Sequence, residues 1–157
     1  MIVLGVDPGS LRTGWGAIDT NGRRHRLIEK GSIAPSPRLP LAERLERIHN
    51  GVAALIARLR PDAIAVEDVF HAANTRTALV LGHVRGVVLL AGAEAGLPVH
   101  EFPPAVVKQH VTGFGRAEKR QVAFMVARLL ELPGDAADAL AVALCHAHRI
   151  RGAEVVP

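Results

Sequence analysis

The sequence predicts an α/β protein built on a mixed sheet, and three features carry that expectation. The first third holds three strand-like segments joined by tight turns. The middle alternates amphipathic or apolar helices with short apolar strands. The last third reads as three consecutive helices. Hairpin-linked strands followed by helix-strand alternation give a sheet of mixed direction, with the first three strands antiparallel.

The opening stretch, MIVLGVDPGSLRTGWG, organises the rest. The apolar run Ile2 to Val6 ends in Asp7, and Pro8-Gly9 turns the chain. A short apolar run closed by Pro-Gly reads as a buried strand. Strand alternation puts Asp7 on one face with Val3 and Gly5, and Ile2, Leu4 and Val6 on the other. Gly14 to Asp19 is the returning strand. Asn21-Gly22 is a strong hairpin signal, and the third strand runs from about Arg24 to Ile33. A proline-rich connector, residues 34–40, leads to a helix over Leu41 to Leu59. Its Leu41, Leu45, Ile48, Val52, Leu55, Ile56 and Leu59 form one apolar stripe.

Pro61-Asp62 then opens a strand, Ala63 to Val66, that delivers Glu67. Asn74 or Thr75 caps a helix reaching about Ala95, apolar nearly all round, with Gly82 and Gly86 permitting close approach. A helix of that kind is buried on more than one side, and one sheet covers one side only, so a partner subunit is expected on another. Val99 to Phe102 is a fifth strand. Short and long helices follow, from Pro103-Pro104 to about Val111 and from Ala117 to Leu132. The final helix is expected from Asp135 to about Arg149. Residues 1–150 read as a single domain and 151–157 as a frayed tail.

The chain has 157 residues, nearly half of them apolar, with a formal net charge of +4 and arginine far outnumbering lysine. That length suffices for one real core. The basic balance favours a polyanionic partner. No apolar run approaches a membrane span, and no signal peptide is expected, because the N-terminus lacks a basic region and its apolar run is five residues. A single cysteine, Cys145, cannot form an internal disulfide and suits a reducing cytoplasm. No His/Cys spacing resembles a zinc site, and neither a P-loop nor a dinucleotide-binding glycine pattern is present.

The chemistry points to four acids. Asp7 and Glu67 each close an apolar strand, and neighbouring strands would bring the two carboxylates to one sheet edge. Asp135 and Asp138, three apart at a helix start, face one direction. Carboxylates of this kind suit a hard cation, Mg²⁺ or Mn²⁺. Two such ions about 4 Å apart activate a water and stabilise a leaving oxygen in phosphodiester hydrolysis. Other readings stay open at this point. Asp135 and Asp138 also resemble a capping box, Asp-Pro-Gly also starts ordinary turns, and Asp68 competes with Glu67. Lys108, Arg116, Lys119 and Arg120 form a basic group around residues 112–115, suited to phosphate or to plain solvated surface. Phe70 fits either a core position or an exposed wedge at distorted DNA.

Six ordered stretches carry a resemblance. They are Gly5-Val6-Asp7-Pro8-Gly9-Ser10, Val66-Glu67-Asp68-Val69-Phe70, Leu81-Gly82-His83-Val84-Arg85-Gly86, Val107-Lys108-Gln109, Ala117-Glu118-Lys119 and Asp135 through Ala141. In these, and over nearly its full length, the chain resembles the RuvC family of bacterial Holliday junction resolvases. The resemblance implies a ribonuclease H-like fold, a five-stranded mixed sheet with helices on both faces. It implies a Mg²⁺-dependent endonuclease, with Mn²⁺ as a substitute, making paired symmetric nicks in four-way junction DNA as a cytoplasmic homodimer. It assigns Asp7, Glu67, Asp135 and Asp138 as catalytic metal ligands, and gives DNA-binding roles to Phe70, Lys108 and Lys119. It also implies branch-migration partners and makes the helix from about Thr75 the dimer helix. The loop 71–74 lacks a lysine found in some relatives, and Arg76 is the candidate substitute. The alternatives of other classes are an actin-like ATPase, which needs two such domains, a non-catalytic junction-binding protein, and a ribonuclease H acting on hybrids.

Overall fold

A computed structural model describes residues 1–68, 72–134 and 136–153. Five strands form one sheet in the order β3-β2-β1-β4-β5. β1 (Ile2–Asp7), β2 (Thr13–Thr20) and β3 (His25–Ile33) are an antiparallel meander. β4 (Ala63–Glu67) lies parallel to β1, and β5 (Val99–Phe102) parallel to β4. The β2–β3 turn follows its Asn-Gly signal. Asn21 Oδ1 accepts from the backbone N–H groups of Arg23 (3.0 Å) and Arg24 (2.8 Å), and Gly22 takes φ 82°.

Helices cover both faces. On one, α1 (Leu41–Leu59) and α2 (Thr75–Glu94) pack over Leu4, Val6, Ile64 and Val66. The predicted α1 stripe faces inward, with Ile48, Val52, Leu55 and Ile56 buried. On the other face, α3 (Pro104–Thr112), α4 (Lys119–Leu129) and α5 (Asp138–Ala153) share a core with Val3, Ile18, Ala65 and Phe102. The alternation expected along β1 is therefore the observed one.

α5 lies directly on the sheet because Gly5 has no side chain. A Cβ there would collide with the carbonyl oxygen of Ala139 and sit 2.9 Å from the Ala143 nitrogen. Gly16 on the adjacent strand does the same for Leu140, whose Cδ2 would stand 2.5 Å from an added Cβ. This close approach carries the start of α5 down to the end of β1.

Three expectations are corrected. α5 begins at Asp138, not Asp135, and extends through Ala153, past the expected Arg149. Asp135, expected to face the same way as Asp138, lies outside the described residues. Of the frayed tail expected over 151–157, residues 151–153 are helical and 154–157 lie outside the described residues. α4 is shorter than predicted: Glu118 caps it through a reciprocal box with Gln121, and Glu131 at φ 53° ends it.

α2 also corrects the membrane reading. By length and composition alone it could cross a bilayer, although the sequence reading found no such run. Its Val84, Val88, Ala91 and Gly92 are instead buried against the rest of the chain. Leu79 and Leu90 are 61% and 49% exposed, and a Cβ added at Gly82 or Gly86 would meet nothing within 4 Å. These four residues form one bare helical face.

Candidate functional site

The β1–β4 pairing decides where the first two acids meet. Val6 stands opposite Val66 in parallel register, so Asp7 and Glu67 follow side by side at the carboxyl end of adjacent strands. Their side chains hydrogen-bond to each other. Two carboxylates can do so only when one carries a proton. Burial first, and the Asp7 charge next, push the Glu67 carboxyl up to about 8, and burial also raises Asp7.

Asp138 joins them from the first turn of α5. Its charge acts on both Asp7 and Glu67. Its carboxylate binds Lys119 Nζ at 2.8 Å, which links the first residue of α4 to the first residue of α5. That bond holds the Lys119 ammonium protonated above its ordinary range. Lys108, half-buried on α3, is close enough for its charge to favour ionised Glu67. Asp135 and Phe70 lie outside the described residues.

Asp68 points away. It forms an ion pair with Arg85 Nη1 at 3.0 Å, and the same guanidinium binds Glu101. Of the two consecutive acids, Glu67 thus faces Asp7 and Asp68 is engaged on the α2 side. Arg76 is exposed in the first turn of α2, after the Asn74 cap, whose Oδ1 accepts from Thr77 N–H at 2.9 Å. Arg116 and Arg120 are exposed beyond the acid cluster; Arg120 lines a separate apolar groove.

A cleft of about 540 Å³ opens beside the acids, lined by Asp7, Asp138, Lys119, Arg12, Lys30 and Ser32 among others. Arg12, Lys30 and Ser32 were not singled out in the sequence. Their signal lay in strand register: Asp7 pairs with Gly14, and Gly14 with Ser32. The β2–β3 hairpin thereby extends the acid row with a hydroxyl and a lysine.

The donor chemistry suits a hard divalent cation. Asp7 and Glu67 are oxygen donors in a desolvated setting, and without added positive charge they must share a proton. Among the described residues, no three His, Cys, Asp or Glu side chains stand close enough to enclose an ion. The Lys119 ammonium supplies the positive charge that Asp138 contacts.

Residues 3–146 match the family model for crossover junction endodeoxyribonuclease RuvC. A crossover junction endodeoxyribonuclease RuvC from Desulforamulus reducens is 50% identical over 152 residues, covering 94% of this chain and 93% of its own. The Halorhodospira halophila counterpart is 53% identical over 150 residues, covering 93% of this chain and 89% of its own. Among solved structures, T. thermophilus RuvC in complex with a Holliday junction substrate superposes with a TM-score of 0.91 at 38% identity, covering 98% of this chain and 96% of that one. The five-stranded sheet with helices on both faces is thus the ribonuclease H-like fold. With the match spanning both acid-bearing strands and the start of α5, the chain belongs to the RuvC family of crossover junction endodeoxyribonucleases.

Proposed function

We propose that this protein is a Holliday junction resolvase, an endodeoxyribonuclease that cuts four-way DNA junctions during recombination and repair by metal-assisted phosphodiester hydrolysis. Family membership supports the reaction class. The observation that carries the assignment of residues is the convergence of Asp7, Glu67 and Asp138, from two adjacent parallel strands and one helix start, beside a cleft with basic walls.

In this reading Asp7, Glu67 and Asp138, with Asp135, hold Mg²⁺, and Mn²⁺ can replace it. A bound divalent cation supplies an activated water and stabilises the departing oxygen. The chain's own residues do the rest. Gly5 and Gly16 seat α5 so that Asp138 reaches the strand acids. Lys119 bridges α4 to Asp138 and presents its exposed ammonium to a phosphate. Lys108, Arg12 and Lys30 lie close enough to the acids to offset the repulsion between them and a polyanion. Phe70, Arg76, Arg116 and Arg120 are assigned to DNA contact.

Residues 1–150 act as one nuclease domain, and the active species is a homodimer. The bare α2 face of Leu79, Gly82, Gly86 and Leu90 supports the dimer, since a contiguous apolar face is rarely left wet and glycines let two helices approach. A two-fold dimer matches a two-fold junction and sets two sites for paired nicks. We place the protein in the cytoplasm, where a buried, unpaired thiol such as Cys145 persists.

The test is incubation with an end-labelled four-way junction, a matched duplex and an RNA–DNA hybrid, each with and without Mg²⁺. Symmetric cutting of the junction alone, only with Mg²⁺, is expected. Equal or preferred cutting of the hybrid would replace the resolvase reading with a ribonuclease one.

A further inference from the structure

The chain has four phenylalanines and no tyrosine. Phe102 is buried, and Phe70 lies outside the described residues. The other two, Phe114 and Phe124, are 58% and 59% exposed. Both line one apolar groove of about 450 Å³ formed by the α3–α4 loop and α4. An exposed aromatic pair facing one cavity is unlike scattered surface apolar residues.

The groove is a built feature. Gly113 ends α3 at φ 79°, and its carbonyl accepts from Gln109 Nε2 at 2.9 Å. The Thr112 hydroxyl donates to the Lys108 carbonyl at 2.8 Å and accepts from Phe114 N–H at 3.1 Å. The Phe114 carbonyl in turn accepts from Ala117 N–H at 3.1 Å. Phe114 is therefore held out on a pinned loop.

Its charge surroundings favour DNA. Arg120, Phe124 and Arg128 are spaced four apart on α4, all exposed, which sets the ring between two guanidinium groups. Arg116 flanks the loop. Lys119, next to Arg120, reaches Asp138 at the acid cluster. Lys119 lines the acid cleft and its neighbour Arg120 lines the groove, so the two features adjoin at the start of α4.

We propose that the Phe114–Phe124 groove is a stacking site for an unpaired nucleobase of the DNA strand running from the acid cleft, its flanking phosphates held by Arg116, Arg120 and Arg128. The proposal rests on the nuclease reading for its ligand class, DNA. Phenylalanine rings accept any base face, so the site reads unpaired structure and not sequence.

The experiment compares the full chain with the Phe114→Ala/Phe124→Ala double variant, without divalent cation so that nothing is cut. Binding to a four-way junction, a single-stranded oligonucleotide and a paired duplex is measured across salt concentrations. The expected result is a loss of about five-fold or more on junction and single strand, with duplex affinity, salt slope and melting temperature unchanged. 5-Iodouracil placed at successive positions near the crossover should photocrosslink to Phe114 or Phe124. Unchanged affinity with no crosslink would overturn the proposal and turn the groove over to a protein partner. A matching loss on duplex would also overturn it. A wild-type chain that shows no junction preference, yet crosslinks through these rings and loses single-strand affinity in the variant, would defeat the resolvase reading and leave the stacking site standing.

Discussion

Lys119 and Asp138 join the first turns of α4 and α5 through a 2.8 Å ion pair, in which the lysine is 82% exposed and the aspartate 36%. So exposed a pair contributes little to stability. The lysine is instead free to exchange its partner for a phosphate while staying near the acids. Lys119→Ala should therefore weaken junction binding and reduce its salt dependence by roughly one phosphate contact, with a melting temperature close to wild type. Filter binding or anisotropy over a salt series checks this. An unchanged slope would return Lys119 to plain surface.

Glu67 and Asp68 are consecutive acids with opposite engagements, and their amide variants should separate. Glu67→Gln should abolish junction cleavage with folding intact or improved, because it removes one of two carboxylates forced together by burial. Asp68→Asn should still cut, but should melt earlier, since among the described residues Arg85 then keeps Glu101 alone as an acidic partner. A loss of about 1–2 kcal/mol is expected for a partly buried charge-assisted contact. Cleavage assays and thermal melts on both variants make the comparison; loss of cutting in Asp68→Asn with a wild-type melt would reverse the assignment.

These two acids show how much of the site was legible. Two apolar strands each ending in a carboxylate were readable from Asp7 and Glu67 alone, conditional on the strands being neighbours. Their parallel pairing is a tertiary fact that neither run encodes locally. Asp138 was readable as a helix-start acid, but the start was placed at Asp135, because Asp-x-x-Asp imitates a capping box. Lys30 and Ser32 were hidden, since their position depends on the β2–β3 register, which shifts at a bulge between Ala17 and Ile18. Phe114 and Phe124 carry no local signal in the sequence, and only the packing of α4 shows which of its faces is left bare.

α2 sharpens the dimer prediction. A charge at Val84 or Val88 would strike residues 1% and 0% exposed within the chain and unfold it. The informative substitutions lie on the bare face. Leu79→Glu or Leu90→Glu should leave the fold intact and give a monomer that has lost paired nicking but keeps weak single nicking. Sedimentation velocity and circular dichroism read the two properties separately. A wild-type chain that sediments as a monomer at its working concentration would remove the dimer and the coupling of the two cuts.

His146 gives a pH dependence. It is 5% exposed, stacked on His100 at 4.5 Å between ring centroids, with Phe102 edge-on at 6.0 Å. Burial foremost, then the charges of His100 and Arg149, lower its pKa from 6.5 to about 4. Below pH 6.5 the unfolded chain takes up a proton on this residue that the native one refuses, so the contribution of His146 to stability falls as pH drops toward 4. The total is about 3 kcal/mol. His25 and His110 are also lowered and act in the same direction. The raised Glu67 carboxyl acts in the opposite direction over the same range, so the test is a difference: from pH 7 to pH 4.5 in urea unfolding, His146→Phe should gain stability relative to wild type by the greater part of that amount. An equal pH slope in the variant would contradict the assignment to His146.

The most direct test of the central claim is a single-residue one at the head of the acid cluster. Asp7→Asn removes one carboxylate from the pair that must otherwise share a proton, and with it one oxygen ligand of the proposed metal site. Junction binding by this variant should equal or exceed wild type, because a negative charge near phosphate is gone, while Mg²⁺-dependent cleavage of a labelled four-way junction should fall below detection. Cutting by Asp7→Asn at a rate near wild type would contradict the account.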